Sequence, residues 1–89
     1  MDIKYTMQAI KILVVDDESA IRDMLRMSLE LSGFEVVEAD SARQAYQVII
    51  DESPNLMLLD WMMPGESGMS FLQRLRKDER TESLPFIMV

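Results

Sequence analysis

Four short apolar runs alternate with segments of helical periodicity, and this alternation constrains the fold more than any other feature of the chain. Ile10–Val15 is rich in β-branched residues and ends abruptly in Asp16-Asp17-Glu18. Beyond it, Ile21, Met24, Leu25, Ser28 and Leu29 recur at i, i+3, i+4, i+7 and i+8. That spacing predicts an amphipathic helix over about Ser19–Ser32 with Ile21, Met24 and Leu25 on its buried stripe. Ser19 is the expected N-cap, and Gly33 the residue that stops the helix. Phe34–Glu38 reads as a second strand, and Ser41-Ala42-Arg43-Gln44 as a capping box opening a second helix. Ala42, Ala45, Tyr46 and Ile49 fall on that helix's inner face. Ser53-Pro54-Asn55 is a turn, and Leu56–Leu59 a uniformly apolar third strand, as expected where both sheet faces are covered. A loop with Pro and Gly runs from Trp61 to Ser67. Met69, Phe71, Leu72 and Leu75 then mark a third helix to about Lys77, and a polar connection leads to a fourth strand at Phe86–Val89. The order β-α-β-α-β-α-β requires crossover helices between parallel neighbours, so the fold class is an open α/β parallel sheet.

The organisation expected is a short N-terminal extension, 1–9, and one domain, 10–89. Hydrophobic residues make up 48% and charged residues 28% of the 89, a globular balance. There is no cysteine, which excludes disulfides and thiolate metal sites. The first residues lack the basic and apolar regions of a secretory signal. No apolar run approaches the ~20 residues of a membrane helix. A soluble, cytoplasmic protein without a membrane partner is therefore expected. The formal charge of −7, from 16 acids against 9 bases, argues against direct nucleic acid contact, which needs a basic footprint.

In open parallel sheets, ligands bind beyond the carboxyl ends of the strands, where the strand order reverses. Asp16 and Asp17 follow the first strand and Asp60 follows the third. In a flavodoxin-like order (2-1-3-4-5) those strands are neighbours, so carboxylates 43 or 44 residues apart in sequence converge. Each Asp alone is also an ordinary turn residue or cap. Three at one sheet edge repel one another, and a hard divalent ion such as Mg²⁺, held by carboxylates and phosphate oxygens, relieves that repulsion. Such a site suits phosphoryl transfer, and a carboxylate can itself be the acceptor. The topology does not say which of the three would be the nucleophile.

The stretches Ile12-Leu13-Val14-Val15-Asp16-Asp17-Glu18 and Leu58-Leu59-Asp60-Trp61-Met62-Met63-Pro64-Gly65-Glu66-Ser67-Gly68 resemble the two signature stretches of response-regulator receiver domains. The second is most like the winged-helix transcription-factor subgroup that includes the phosphate-regulon regulator. The resemblance runs over about residues 10 to 89. It implies a two-component receiver in which Asp60 is the phosphoacceptor and a sensor histidine kinase is the donor. Asp17 would ligate Mg²⁺ directly, Asp16 directly or through water, and the Met62 backbone carbonyl would add a ligand. Pro64 and Gly68 would shape the loop bearing that carbonyl, and the side chains of Met62 and Met63 would pack. Ala20 and Asp23, near the start of the first helix, are the positions to examine for kinase docking. The domain would act as a phosphoacceptor rather than as an enzyme on other substrates, and transcription regulation is the implied output.

The resemblance also implies a Ser or Thr after the fourth strand and a Lys after the fifth. The sequence stops at Val89, so a fifth strand and the last helices are expected to be absent, and Lys77 is wrongly placed to substitute. Phe86–Val89 would then be an edge strand, apolar on both faces and prone to association. A homodimer covering that edge is one expectation, and a truncated, non-switching interaction module is the alternative function. A Mg²⁺-dependent phosphohydrolase ranks below both. That class pairs its nucleophilic Asp with an acid two residues on, where this chain has Met62.

Overall fold

The computed structural model describes residues 9–89, so the expected extension, save its last residue, lies outside the described residues. The chain runs β1 (Lys11–Val15), α1 (Ser19–Leu31), β2 (Glu35–Ala39), α2 (Ala42–Glu52), β3 (Leu56–Leu59), α3 (Gly68–Arg76) and β4 (Phe86–Met88). All four strands pair in parallel, in the order β2-β1-β3-β4. This matches the first four strands of the expected flavodoxin-like order, with β4 at an edge.

Side chains alternate across the sheet, and each face has its own core. Leu13 and Val15 of β1, Ala39 of β2 and Met57 and Leu59 of β3 are buried with Ala45 and Ile49 of α2 and Phe71 and Leu75 of α3. Ile12, Val14 and Val36 point the other way, with Leu25 and Leu29 of α1 packed on them. β4 turns Phe86 and Met88 to the α2/α3 face. Ile87, on the opposite face, is 51% exposed.

The helix ends show which local signals held. α1 begins at Ser19, as expected, but Ser19 is not its cap. Glu18 is its N-cap and makes no side-chain cap bond, while the first turn closes through Arg22 N to Glu18 O at 3.1 Å. Ser19 is therefore already helical. The helix ends in a Schellman motif, with Gly33 N donating to Glu30 O and Phe34 N to Leu29 O. Gly33 has φ +91°, which only glycine adopts readily. The phase of α1 also differs from expectation. Met24 is 58% exposed, and the sheet-facing positions are Ile21, Arg22, Leu25, Arg26 and Leu29. Both arginines reach the Glu38 carboxylate, Arg22 Nε at 3.0 Å and Arg26 Nε at 2.7 Å, and so fasten α1 to β2. On α2, Ser41 Oγ accepts from Gln44 N at 3.2 Å, while the Gln44 side chain reaches back to Asp40 N, one residue beyond the usual box. On α3, Phe71, Leu72 and Leu75 are buried but Met69 is exposed.

The connection from α3 to β4, which reads as merely polar, is tightly held. Thr81 is buried and its Oγ1 donates to Leu75 O at 2.7 Å, satisfying a carbonyl at the helix end. The Arg76 guanidinium donates to Glu82 O at 2.7 Å and Leu84 O at 2.8 Å and lies over the Phe86 ring.

Candidate functional site

The β1–β3 register builds the site. Val15 stands opposite Leu59, so the next residues, Asp16 and Asp60, leave the sheet side by side. Asp60 N donates to Val15 O at 2.9 Å, and Asp16 N to Ala39 O at 3.1 Å, carrying both ladders one step past the strands. Carboxylate oxygens of Asp16, Asp17 and Asp60 all lie within 4.8 Å of one another. The three residues singled out in the sequence are thus brought together.

Their surroundings differ. Asp16 is buried, and its Oδ1 accepts from Glu18 N at 2.9 Å, so the same side chain shapes the turn into α1. Asp17 is exposed and Asp60 half-buried. Asp60 Oδ1 accepts from Met62 N at 3.1 Å. No Lys or Arg among the described residues forms an ion pair with any of the three. Arg22 Nη1 donates to the backbone O of Asp16 at 2.6 Å, not to its carboxylate, and Arg22 Nε to Glu38. Each pair of carboxylates at this spacing repels by about 1 kcal/mol in water-like surroundings and about 3 kcal/mol at an effective dielectric near 20. Hard oxygen donors converging from two strands, one of them open to solvent, suit a small divalent cation that keeps several waters.

The loop after Asp60 is set by a close approach. Gly68 N donates to Trp61 O at 3.0 Å. A Cβ on Gly68 would stand 2.5 Å from Asp60 O and 2.7 Å from Trp61 Cα, both backbone atoms that cannot swing away. Gly68 is thus required by contact with the backbone at the end of β3. Met63 is buried, as expected of a packing residue, but Met62 is 70% exposed. Pro64, Ala20 and Asp23 are exposed, and Lys77 caps the C-terminus of α3.

Sequence reasoning missed Glu66. Its carboxylate accepts from Arg74 Nε at 3.0 Å and Nη2 at 2.8 Å, and from Ser70 Oγ at 3.2 Å. Arg74 holds the Glu66 carboxyl below the usual carboxylate range, and Glu66 in turn raises the Arg74 guanidinium. The four-residue spacing of Glu66, Ser70 and Arg74 was a readable signal. Further along, Tyr46 OH donates to Asp78 Oδ2 at 2.8 Å and accepts from Arg80. Arg80 holds the Asp78 carboxyl well below its ordinary range, and the bond to Asp78 raises the Tyr46 phenol.

The family model described as the response regulator receiver domain matches residues 12–89. The chain is 50% identical over 78 residues to the phosphate regulon transcriptional regulatory protein PhoB of Pseudomonas aeruginosa, covering 88% of this chain and 34% of that protein. It is 42% identical over 79 residues to PhoB of Escherichia coli, with 89% and 34% covered. The chain therefore spans about a third of the length of the curated relatives it matches. The N-terminal domain of a response regulator receiver protein from Methanoculleus marisnigri superposes with a TM-score of 0.86 at 35% identity, covering 88% of this chain and 63% of that one.

Proposed function

The chain belongs to the response regulator receiver domain family, and from that premise we propose that Asp60 accepts a phosphoryl group from the phosphohistidine of a sensor histidine kinase. Residues 10–89 are taken as the receiver of a two-component response regulator, matched by the family over 12–89. The observation that carries the reading is the meeting of three carboxylates within 4.8 Å with no described cation paired to them.

Asp16, Asp17 and Asp60, with the Met62 backbone carbonyl, would hold Mg²⁺. When bound, that ion would offset the charge of the incoming phosphoryl oxygens. Met62 N–H, bonded to Asp60 Oδ1, leaves the other carboxylate oxygen to attack phosphorus. The O–P bond forms as the donor's N–P bond breaks, and the imidazole leaves and takes up a proton. The chemistry is confined to this chain's own aspartate, so the domain is an acceptor rather than an enzyme acting on other substrates. For the kinase, Ala20, Met24, Met27 and Leu31 offer an exposed apolar stripe at i, i+4, i+7 and i+11 on α1, beginning beside Asp17, with Asp23 on the same exposed side. A net charge of −7 disfavours direct nucleic acid contact by these residues. No helix among the described residues is long and apolar enough to cross a membrane. A cytoplasmic location fits the proposed donor, and transcription would be the regulated output, as in the PhoB relatives. The Ile87 edge of β4 is the surface on which a homodimer would form.

The test is incubation with acetyl phosphate and Mg²⁺, read by intact mass. The chain is expected to gain one phosphoryl group, and to gain none with EDTA present or as Asp60→Asn. Uptake by Asp60→Asn equal to that of the unaltered chain would assign the acceptor elsewhere.

A further inference from the structure

The loop between β3 and α3, residues 61–67, has few bonds of its own. Among the described residues, no backbone–backbone hydrogen bond engages Met63, Pro64, Gly65 or Glu66. The ends are fixed by Met62 N on Asp60 and by Gly68 N on Trp61 O. The middle is held by the buried Met63 side chain and by the two-pronged bond between Glu66 and Arg74. A bidentate Arg–carboxylate pair fixes plane and direction as well as distance. Arg74 is itself placed by its rings, with its guanidinium carbon 5.4 Å from the centre of fully buried Phe71 and 5.9 Å from that of Tyr46.

We propose that the Glu66–Arg74 pair is a positioning device, setting the loop so that the Met62 carbonyl stands where the Asp60 site needs it. The proposal rests on the reading of Asp60 and Met62 given above. The pair is partly exposed, 53% on the Arg74 side chain and 27% on Glu66. Pairs of that kind contribute little to global stability, so the effect of this one is local geometry. Arg76, two residues along α3, provides the contrast. It bonds the α3–β4 connection, at Thr81 O, Glu82 O and Leu84 O.

The experiment uses the full 89-residue chain and three readouts. These are Mg²⁺ titration followed by the fluorescence of Trp61, the sole tryptophan, amide hydrogen exchange of the metal-free protein, and the urea midpoint. Arg74→Ala is expected to weaken Mg²⁺ binding on the order of ten-fold, as loss of an outer-shell partner does. It should also speed exchange at Met62 and Gly68, the bonded amides at the loop's ends, and leave the urea midpoint nearly unmoved. The double exchange Glu66→Arg with Arg74→Glu is expected to recover most of the affinity. Arg76→Ala should lower the urea midpoint and leave Mg²⁺ affinity unchanged. Unaltered affinity in Arg74→Ala, or an equal loss in Arg76→Ala, overturns the positioning role. Asp60→Asn separates the two levels: unweakened Mg²⁺ binding there overturns the acid-pocket reading itself, whatever Arg74 does.

Discussion

The two faces of the sheet are built differently. On one, α2 and α3 bury Leu13, Met57, Leu59, Phe71 and Leu75 completely. On the other, α1 has no buried residue of its own and covers β1 and β2, leaving Leu56 and Leu58 half-buried and Ile87 exposed. The fully packed face fixes the strand ends from which Asp16 and Asp60 depart. The thin face has a smaller apolar contact, Leu25 and Leu29 on Ile12, Val14 and Val36, and is tied by charge as well, through Arg22, Arg26 and Glu38. Asp60 is thus anchored by apolar packing, while the helix proposed to meet the kinase is held by a lighter attachment.

Mutations can break that comparison directly. Phe71→Ala should cost ~3–5 kcal/mol in urea unfolding, as large aromatic truncations in a closed core do. Leu29→Ala, on the thin face, should cost about 1 kcal/mol, since only part of its apolar surface is removed from water. Equal losses would show that the faces are equivalent in energy despite their different cover. Gly68→Ala comes next, at ~1–3 kcal/mol for a forced backbone shift. It should also slow phosphoryl uptake from acetyl phosphate, because the atoms it displaces belong to Asp60 and Trp61. The smallest effect is acid-dependent and belongs to the packed face. Arg80 lowers the Asp78 carboxyl and Arg74 lowers that of Glu66. Their contribution is therefore complete above the ordinary carboxylate range near pH ~4, and is lost as pH falls through the lowered folded values. Urea midpoints measured from neutral pH downward should fall across that window, and Asp78→Asn should flatten the decline.

The sheet was legible from period and order, and its acid cluster once a flavodoxin-like strand order set β1 beside β3. Four apolar runs with crossover helices leave few arrangements, and residues just past paired strands must share an edge. The phase of α1 was not legible. Ile21, Met24 and Leu25 all suit a 3.6-residue period, and only contact with β1 and β2 decides that Met24 faces outward. Met69 on α3 was misplaced for the same reason. Ser19 failed as a cap because the Asp16 side chain, two residues upstream of Glu18, already supports the turn. The Arg76 contacts were hidden because a long guanidinium side chain chooses its partners by three-dimensional reach. The need for Gly68 was readable as a loop signal, but its cause, a backbone 2.5 Å from an added Cβ, is visible only in the fold.

The β1–β3 seam has a consequence for how the molecule comes to be folded. Lys11 and Asn55, 44 residues apart, bond at one end of it, and Asp16 and Asp60 meet at the other. Closing such a distant pairing is a slow step for any chain, since loop entropy is lost before the contacts form. Here the closing strands also drive three negative charges together. The acid pocket therefore sets charge repulsion against closure of its own seam, which a bound divalent ion would offset.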